Sequence, residues 1–134
     1  MRGTYLLSVA LEKDAHITIG ALGEIFFPPG SYIYVGSAMA QRGALTLEHR
    51  VRRHLLSPDE KSIRWHIDYF LANRETSIVS IHLIPSKIRL ECLIAEGLLS
   101  NCDNSIPKFG CSDCKCESHL FYFNEYPNLE TMLR

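Results

Sequence analysis

The chain has 134 residues, 46% of them apolar and 22% charged, values that suit one folded core and exclude a disordered tail, a coiled coil or a collagen-like repeat. Fourteen Lys and Arg against fifteen Asp and Glu leave a formal charge of −1 with neutral histidines, which taken whole argues against a strongly basic nucleic-acid binder. No run of about 18 apolar residues is present to span a membrane. The apolar run at residues 4–10 is short and is soon followed by Glu12-Lys13-Asp14, unlike a secretory signal, so a cytoplasmic address is expected.

Residues 4–10 are rich in β-compatible apolar side chains, and His16-Ile17-Thr18-Ile19 follow the turn-forming Glu12-Lys13-Asp14-Ala15, which predicts an opening hairpin. Residues 22–27 either extend that sheet or pack over it. Pro28-Pro29-Gly30 is the strongest turn signal, and it delivers a strand over 31–36 in which Tyr32, Tyr34 and Gly36 share one face and Ile33 and Val35 the other. Over 44–56 the period becomes helical. Ala44, Leu47, Val51 and Leu55 form an apolar stripe there, while Arg50, Arg53 and His54 gather on another face. Ser57-Pro58-Asp59 ends this helix.

A second helix is predicted over 63–71, a strand over 77–84 ending at Pro85, and a third helix over 87–99 with Leu90, Ile94 and Leu98 facing the core and Glu91 on its flank. Residues 101–116 read as irregular, 120–123 as a closing strand and 127–134 as a short terminal helix. Without a repeat, a low-complexity tract or a linker, residues 1–134 are expected to form a single domain with a Cys/His-rich segment at 92–119.

The near-zero charge hides an asymmetry. Residues 42–66 hold six Lys or Arg (Arg42, Arg50, Arg52, Arg53, Lys61, Arg64) and three acids (Glu48, Asp59, Glu60), a local +3, so the rest carries −4. A basic face of this kind can hold phosphates within a Debye length of about 8–10 Å, although charge alone favours the plainer reading, a solvated helix face.

Gly3-Thr4-Tyr5 opens the first strand, Tyr34-Val35-Gly36 closes a later one, Arg50-Val51-Arg52-Arg53-His54 lies on the first helix, and Glu91 on the third. In this order they resemble the GIY-YIG nuclease superfamily. More closely, the chain resembles its Uri-type branch, and within it a subfamily catalogued as a domain of unknown function. The closer likeness rests on Tyr34-Val35-Gly36-Ser37-Ala38, Arg53-His54-Leu55, Trp65-His66-Ile67-Asp68-Tyr69, Glu91-Cys92, and Phe109-Gly110-Cys111-Ser112-Asp113-Cys114 followed by Cys116, Ser118, His119 and Leu120. The resemblance implies an α/β (α+β) domain with a small, central, mainly antiparallel sheet flanked by helices.

It also implies a metal-dependent endonuclease. Phosphodiester hydrolysis needs a positioned water, an acceptor for its proton, positive charge at the developing phosphorane and stabilisation of the leaving oxygen. By resemblance, Glu91 holds one divalent ion, Mg²⁺ or Mn²⁺, and Arg50 clamps the phosphate with its planar fork. Tyr5 and Tyr34 orient and deprotonate water, His54 assists, Gly36 lets the substrate backbone approach, and Arg53 and His66 contribute to binding. An asparagine is expected after the glutamate helix, with Asn101 and Asn104 as candidates. Taken singly, each residue has an ordinary structural use: a tyrosine near a core with a bonded hydroxyl, an arginine in solvent, or Glu91 paired with Arg89 or Lys87 at its helix start. Trp65 is equally readable as a core anchor, and Asp68 as a group that orients a neighbour.

All five cysteines, Cys92, Cys102, Cys111, Cys114 and Cys116, fall in the last third of the chain. In a reducing compartment such a group indicates metal or thiols rather than a disulfide framework. The resemblance points to Cys92, Cys114, Cys116 and His119 as a set for structural Zn²⁺; reduced thiols beside a packed His119 are the other reading. The expected partner is nucleic acid, DNA at damaged or branched structures above all, with a targeting protein to make up for the lack of a DNA-reading module. Two alternatives stand beside the nuclease: a non-catalytic, zinc-stabilised nucleic-acid-binding or interaction module, and a small protein whose Cys/His group serves metal handling or redox chemistry.

Overall fold

The computed structural model describes residues 1–43, 46–111 and 116–129. Its centre is a five-stranded antiparallel sheet built from β1 (Gly3–Leu11), β4 (Gly30–Ala38), β5 (Thr76–Pro85), β6 (Asn104–Ser105) and β7 (Leu120–Phe123), in the spatial order β5-β1-β4-β7-β6. β1 has a neighbour on each edge and is buried nearly throughout. Its run of Leu6, Leu7, Val9 and Leu11 therefore needs no polar alternation, and even Thr4 and Ser8 are covered.

That central position explains why the opening hairpin does not form. Both edges of β1 are taken by β4 and β5, so β2 (Ala15–Thr18) pairs instead with β3 (Glu24–Phe27) in a separate two-stranded sheet. Ile17, Ile19 and Phe27 then bury themselves against the Tyr5 and Leu7 face of the main sheet, which settles residues 22–27 as a layer over the sheet.

Helices cover both faces, as the antiparallel α+β expectation required. α1 (Leu47–Leu55) and α2 (His66–Leu71) place Leu47, Ile67 and Phe70 in the same core as Tyr5, Leu7, Val9, Tyr32 and Tyr34. α3 (Glu91–Asn101) brings Ala95 and Leu98 to the opposite face, against Leu6, Ile33, Val35 and Phe121. The alternation read along β4 thus divides its side chains between the two cores.

The helix boundaries differ from expectation for local reasons. Thr46 caps α1, its hydroxyl accepting from the His49 N–H at 3.4 Å, and Ala44 of the predicted stripe lies outside the described residues. The inward face of this short helix runs through Leu47, Val51 and His54; Leu55 is 59% exposed, a correction to the predicted stripe. α2 begins at His66 and not at residue 63, because the Asp68 carboxylate reaches back to the N–H groups of Arg64 and Trp65, both at 2.9 Å. α3 begins at Glu91, four residues later than predicted, and Leu90 and Ile94 are only half-buried. The predicted terminal helix falls largely outside the described residues. Among the described residues no helix is long and apolar enough to cross a membrane.

Candidate functional site

A cleft of about 800 Å³ opens at the end of β4, where α1, the starts of α2 and α3, and residues 110 and 119 converge. Tyr34 and Ser37 come from β4, Arg50 from α1, and Glu91 and Cys92 from the first turn of α3. Arg64, Trp65 and His66 contribute the lead into α2, with Arg89, Gly110 and His119 completing the basic and aromatic wall.

Arg50 is fixed by two contacts. Its Nη1 donates to the Ser37 carbonyl at 2.8 Å, tying α1 to the end of β4, and its guanidinium packs 4.6 Å from the centre of the Trp65 ring. Among the described residues its Nε is buried without a hydrogen-bond partner. Arg53 also packs on Trp65, at 4.4 Å, but its hydrogen bonds go elsewhere: to both oxygens of Asp68, at 2.9 and 3.0 Å, and to the Ser62 carbonyl. Asp68 is fully buried and accepts four hydrogen bonds in all. Burial pushes its carboxyl upward, yet the bonds from Arg53 and from the Trp65 and Arg64 N–H groups outweigh it and hold the group below the usual carboxylate range.

Behind the wall lies an aromatic cluster. The Tyr5 hydroxyl and His54 Nε2 are 2.6 Å apart, and the Tyr5 and His54 rings lie 6.4 and 6.1 Å from that of Tyr34. Tyr5 and His54 are 1% and 2% exposed, so neither reaches the cleft; Tyr34, at 9%, does. Burial pushes both phenols well above their ordinary value, with Arg50 offsetting part of the effect, and pushes His54 down to about 4. At neutral pH this trio consists of two phenols and an uncharged imidazole.

His66 is held differently. The Gly110 N–H donates to its Nδ1 at 2.8 Å, which makes Nδ1 an acceptor and leaves the proton of the neutral ring on Nε2. Gly110 has φ 71°, in the left-handed region, and a Cβ there would also press on His119. Burial lowers the pKa of His66 and favours the neutral ring.

One Glu91 oxygen lies 3.8 Å from His119 Nδ1, an ion pair whenever that ring is protonated; the pairing with Arg89 or Lys87 is not formed. Adjacent to it, Cys92 is joined to Cys116 by a disulfide, contrary to the expectation of metal or thiols alone, since the two Cα atoms are 5.9 Å apart and their sulfurs meet. Cys102 and Cys111 remain thiols. The Cys92 and Cys116 sulfurs and a His119 ring nitrogen lie within 4.8 Å of one another, a group of soft donors able to hold a metal ion when the pair is reduced. Cys114 lies outside the described residues.

Of the predicted site residues, Tyr34, Arg50, His66 and Glu91 share the cleft, and Tyr5 and His54 back it. Two assignments change. Gly36 sits opposite Tyr5 in the β1–β4 register, and a Cβ there would collide with the Tyr5 ring, so its smallness serves a neighbouring side chain instead of a substrate. Arg53 spends its guanidinium on Asp68, Ser62 and Trp65 and does not line the cleft. Neither asparagine candidate lines it: Asn101 bonds back to Gly97, and Asn104 accepts from the Ser105 N–H. Sequence reasoning placed Arg64 only in the general basic stretch and Arg89 only as a pairing partner of Glu91, although each lies within two residues of Trp65-His66 or Glu91, the segments it singled out.

No curated protein and no solved structure matches the chain. A family model does, over residues 4–134, and it covers the helices, every strand residue but Gly3, and every cleft residue named above. The chain belongs to the family described as Domain of unknown function DUF123.

Proposed function

We propose that this protein is a metal-dependent endonuclease of the GIY-YIG type, in its Uri-like branch, acting in the cytosol on nucleic-acid phosphodiesters and on DNA above all. The observation that carries the reading is the meeting of Arg50 and Glu91 in one cleft walled by Tyr34 and His66. Arg50 engages Ser37 through one nitrogen, which leaves further guanidinium donors for the oxygens of a phosphate. Arg64 and Arg89 add positive charge along the same wall.

Glu91 offers a hard oxygen donor in an open cleft with room for retained waters, which fits Mg²⁺ or Mn²⁺. Such an ion supplies charge stabilisation at the phosphorane and the leaving oxygen. Tyr34, kept as a phenol by burial, orients the attacking water by hydrogen bonding. His66, with its proton on Nε2, donates to a phosphate oxygen. Tyr5 and His54 act from behind as positioning groups, because neither touches the cleft.

Purified protein with Mg²⁺ or Mn²⁺ should cut at least one member of a panel of single-stranded, duplex and branched DNA and RNA. Glu91→Ala should abolish cutting while leaving the unfolding transition in place. Failure of the whole panel, or full activity in Glu91→Ala, would remove the reading.

The grouping of Cys92, Cys116 and His119 favours a second reading, a non-catalytic module in which Zn²⁺ steadies the cleft wall for nucleic-acid or protein binding. Salt-sensitive binding with no cleavage under any metal would select it.

A further inference from the structure

The same two sulfurs answer two chemical descriptions. They are bonded to each other, and with a His119 ring nitrogen they form a soft donor set within 4.8 Å. His119 is anchored through its backbone, its N–H donating to the Phe109 carbonyl and its carbonyl accepting from the Val35 N–H, both at 2.9 Å, so its place is set by the sheet and not by the sulfurs. Cys92 is fixed in the first turn of α3, with its Cα 5.9 Å from that of Cys116, a separation ordinary for a disulfide. Passing from thiolate ligands to a disulfide therefore demands no rearrangement of the fold.

We propose that Cys92, Cys116 and His119 form a redox-exchangeable metal site: reduced, they hold a soft dication of the zinc class, and on oxidation by a peroxide the sulfurs close into the disulfide and the ion leaves. One thiolate attacks a peroxide oxygen, breaking the O–O bond and forming a sulfenic acid; the second displaces its oxygen to form the S–S bond. Two electrons pass from sulfur to the peroxide, two protons are taken up, and for hydrogen peroxide the products are the disulfide, two waters and the freed dication. A dithiol reverses the step by thiol–disulfide exchange, becoming oxidised itself. The site takes from the reading above only that the cluster binds zinc, and nuclease activity is no part of it.

The test uses the full chain, reduced, loaded with one equivalent of Zn²⁺ and then exposed to hydrogen peroxide. Zinc should appear on a chromophoric chelator in step with the loss of two hydrogens from the intact mass, mapped to a Cys92–Cys116 peptide. Zinc affinity should fall at least about 100-fold, beyond what loss of an outer hydrogen-bonding partner produces, and dithiothreitol should restore it. Cys102→Ser should leave the exchange unchanged, and Cys92→Ser should abolish the mass change. Reduced protein that takes up no zinc overturns both the metal reading and the exchange. Zinc that stays bound after the disulfide forms, or leaves without it, overturns the exchange alone; these wild-type measurements decide the matter even if Cys92→Ser does not fold.

Discussion

Tyr5 and His54, 49 residues apart in sequence, share a 2.6 Å hydrogen bond inside the core, and the other His54 ring nitrogen, Nδ1, is buried without a hydrogen-bond partner among the described residues. A second ring proton would put charge on a buried imidazole with no acceptor at Nδ1, and burial pushes its pKa down to about 4. An unfolded chain would protonate this ring near the ordinary value of about 6.5. Between those two values the unfolded state therefore binds the proton that the folded state refuses, so His54 lowers stability as pH falls and has no such effect above the window. The loss should approach roughly 3 kcal/mol on passing below about pH 4. Urea unfolding of wild type and His54→Gln across pH 4–7.5 isolates this contribution. The stability gap between the two should shrink or reverse toward acid, and a gap that stays constant would defeat the assignment.

The buried Asp68 and Arg53 pair gives a second prediction. Asp68 is 0% exposed and satisfies two backbone N–H groups as well as the guanidinium, so Asp68→Ala removes a helix cap and leaves a half-buried arginine unpaired. A loss of about 3 kcal/mol is expected, with Asp68→Asn intermediate because the amide keeps one acceptor oxygen. Since the folded carboxyl titrates below its usual range, this contribution is complete above the unfolded value and disappears as pH falls through the folded one. Trp65 is the sole tryptophan, and both guanidiniums pack on it, so its fluorescence reports the same event. Asp68→Ala should shift its emission to the red, and an unshifted spectrum with unchanged stability would contradict the role given to Asp68.

Much of this framework was legible in the sequence because it is written in short-range periodicity. Alternation separated Tyr32 and Tyr34 from Ile33 and Val35, and the structure divides them between two cores. What was not legible depends on pairing across long separations. Nothing in residues 4–19 shows that both edges of β1 are claimed by strands from far along the chain, so the local hairpin looked sufficient. The stripe on α1 failed at Leu55 for a related reason. His54 reads as a surface residue until Tyr5 is available to bond it, and only then does the helix turn that side inward. Arg53 likewise looks like a ligand for phosphate until Asp68, which α2 supplies, is placed opposite.

Gly36 offers a test of pairing through the register itself. It stands directly across from Tyr5, and the ring occupies the space its Cβ would need. Gly36→Ala should destabilise by about 1–3 kcal/mol, as overpacking does. The penalty should fall sharply when Tyr5 is first replaced by Leu, because the colliding ring atoms are then gone. Additive effects of the two changes in a double-mutant cycle would show that Gly36 is required for another reason.

Binding of nucleic acid can be predicted from the cleft without reference to cutting. Its phosphate-facing charge comes from Arg50, Arg64 and Arg89, against the Glu91 carboxylate. If about three phosphates are neutralised, log K on duplex DNA should fall with log salt at a slope near −2.7, a weak and strongly salt-sensitive interaction. Arg89 donates weakly to the Ser37 hydroxyl, at 3.4 Å, and is exposed, so Arg89→Ala should reduce the slope by about one unit with little effect on folding. Arg52, exposed on α1 and not part of the cleft wall, is the control: Arg52→Ala should leave the slope near the wild-type value. Equal effects from the two substitutions would mean that the chain binds through its general basic face. A larger effect from Arg89 ties the phosphate to the wall that also carries Glu91, where a divalent ion on the carboxylate would offset the one opposing charge among the described lining residues. Titrating Mg²⁺ at constant ionic strength should then strengthen binding in wild type and leave Glu91→Gln unaffected, a difference that general screening cannot produce.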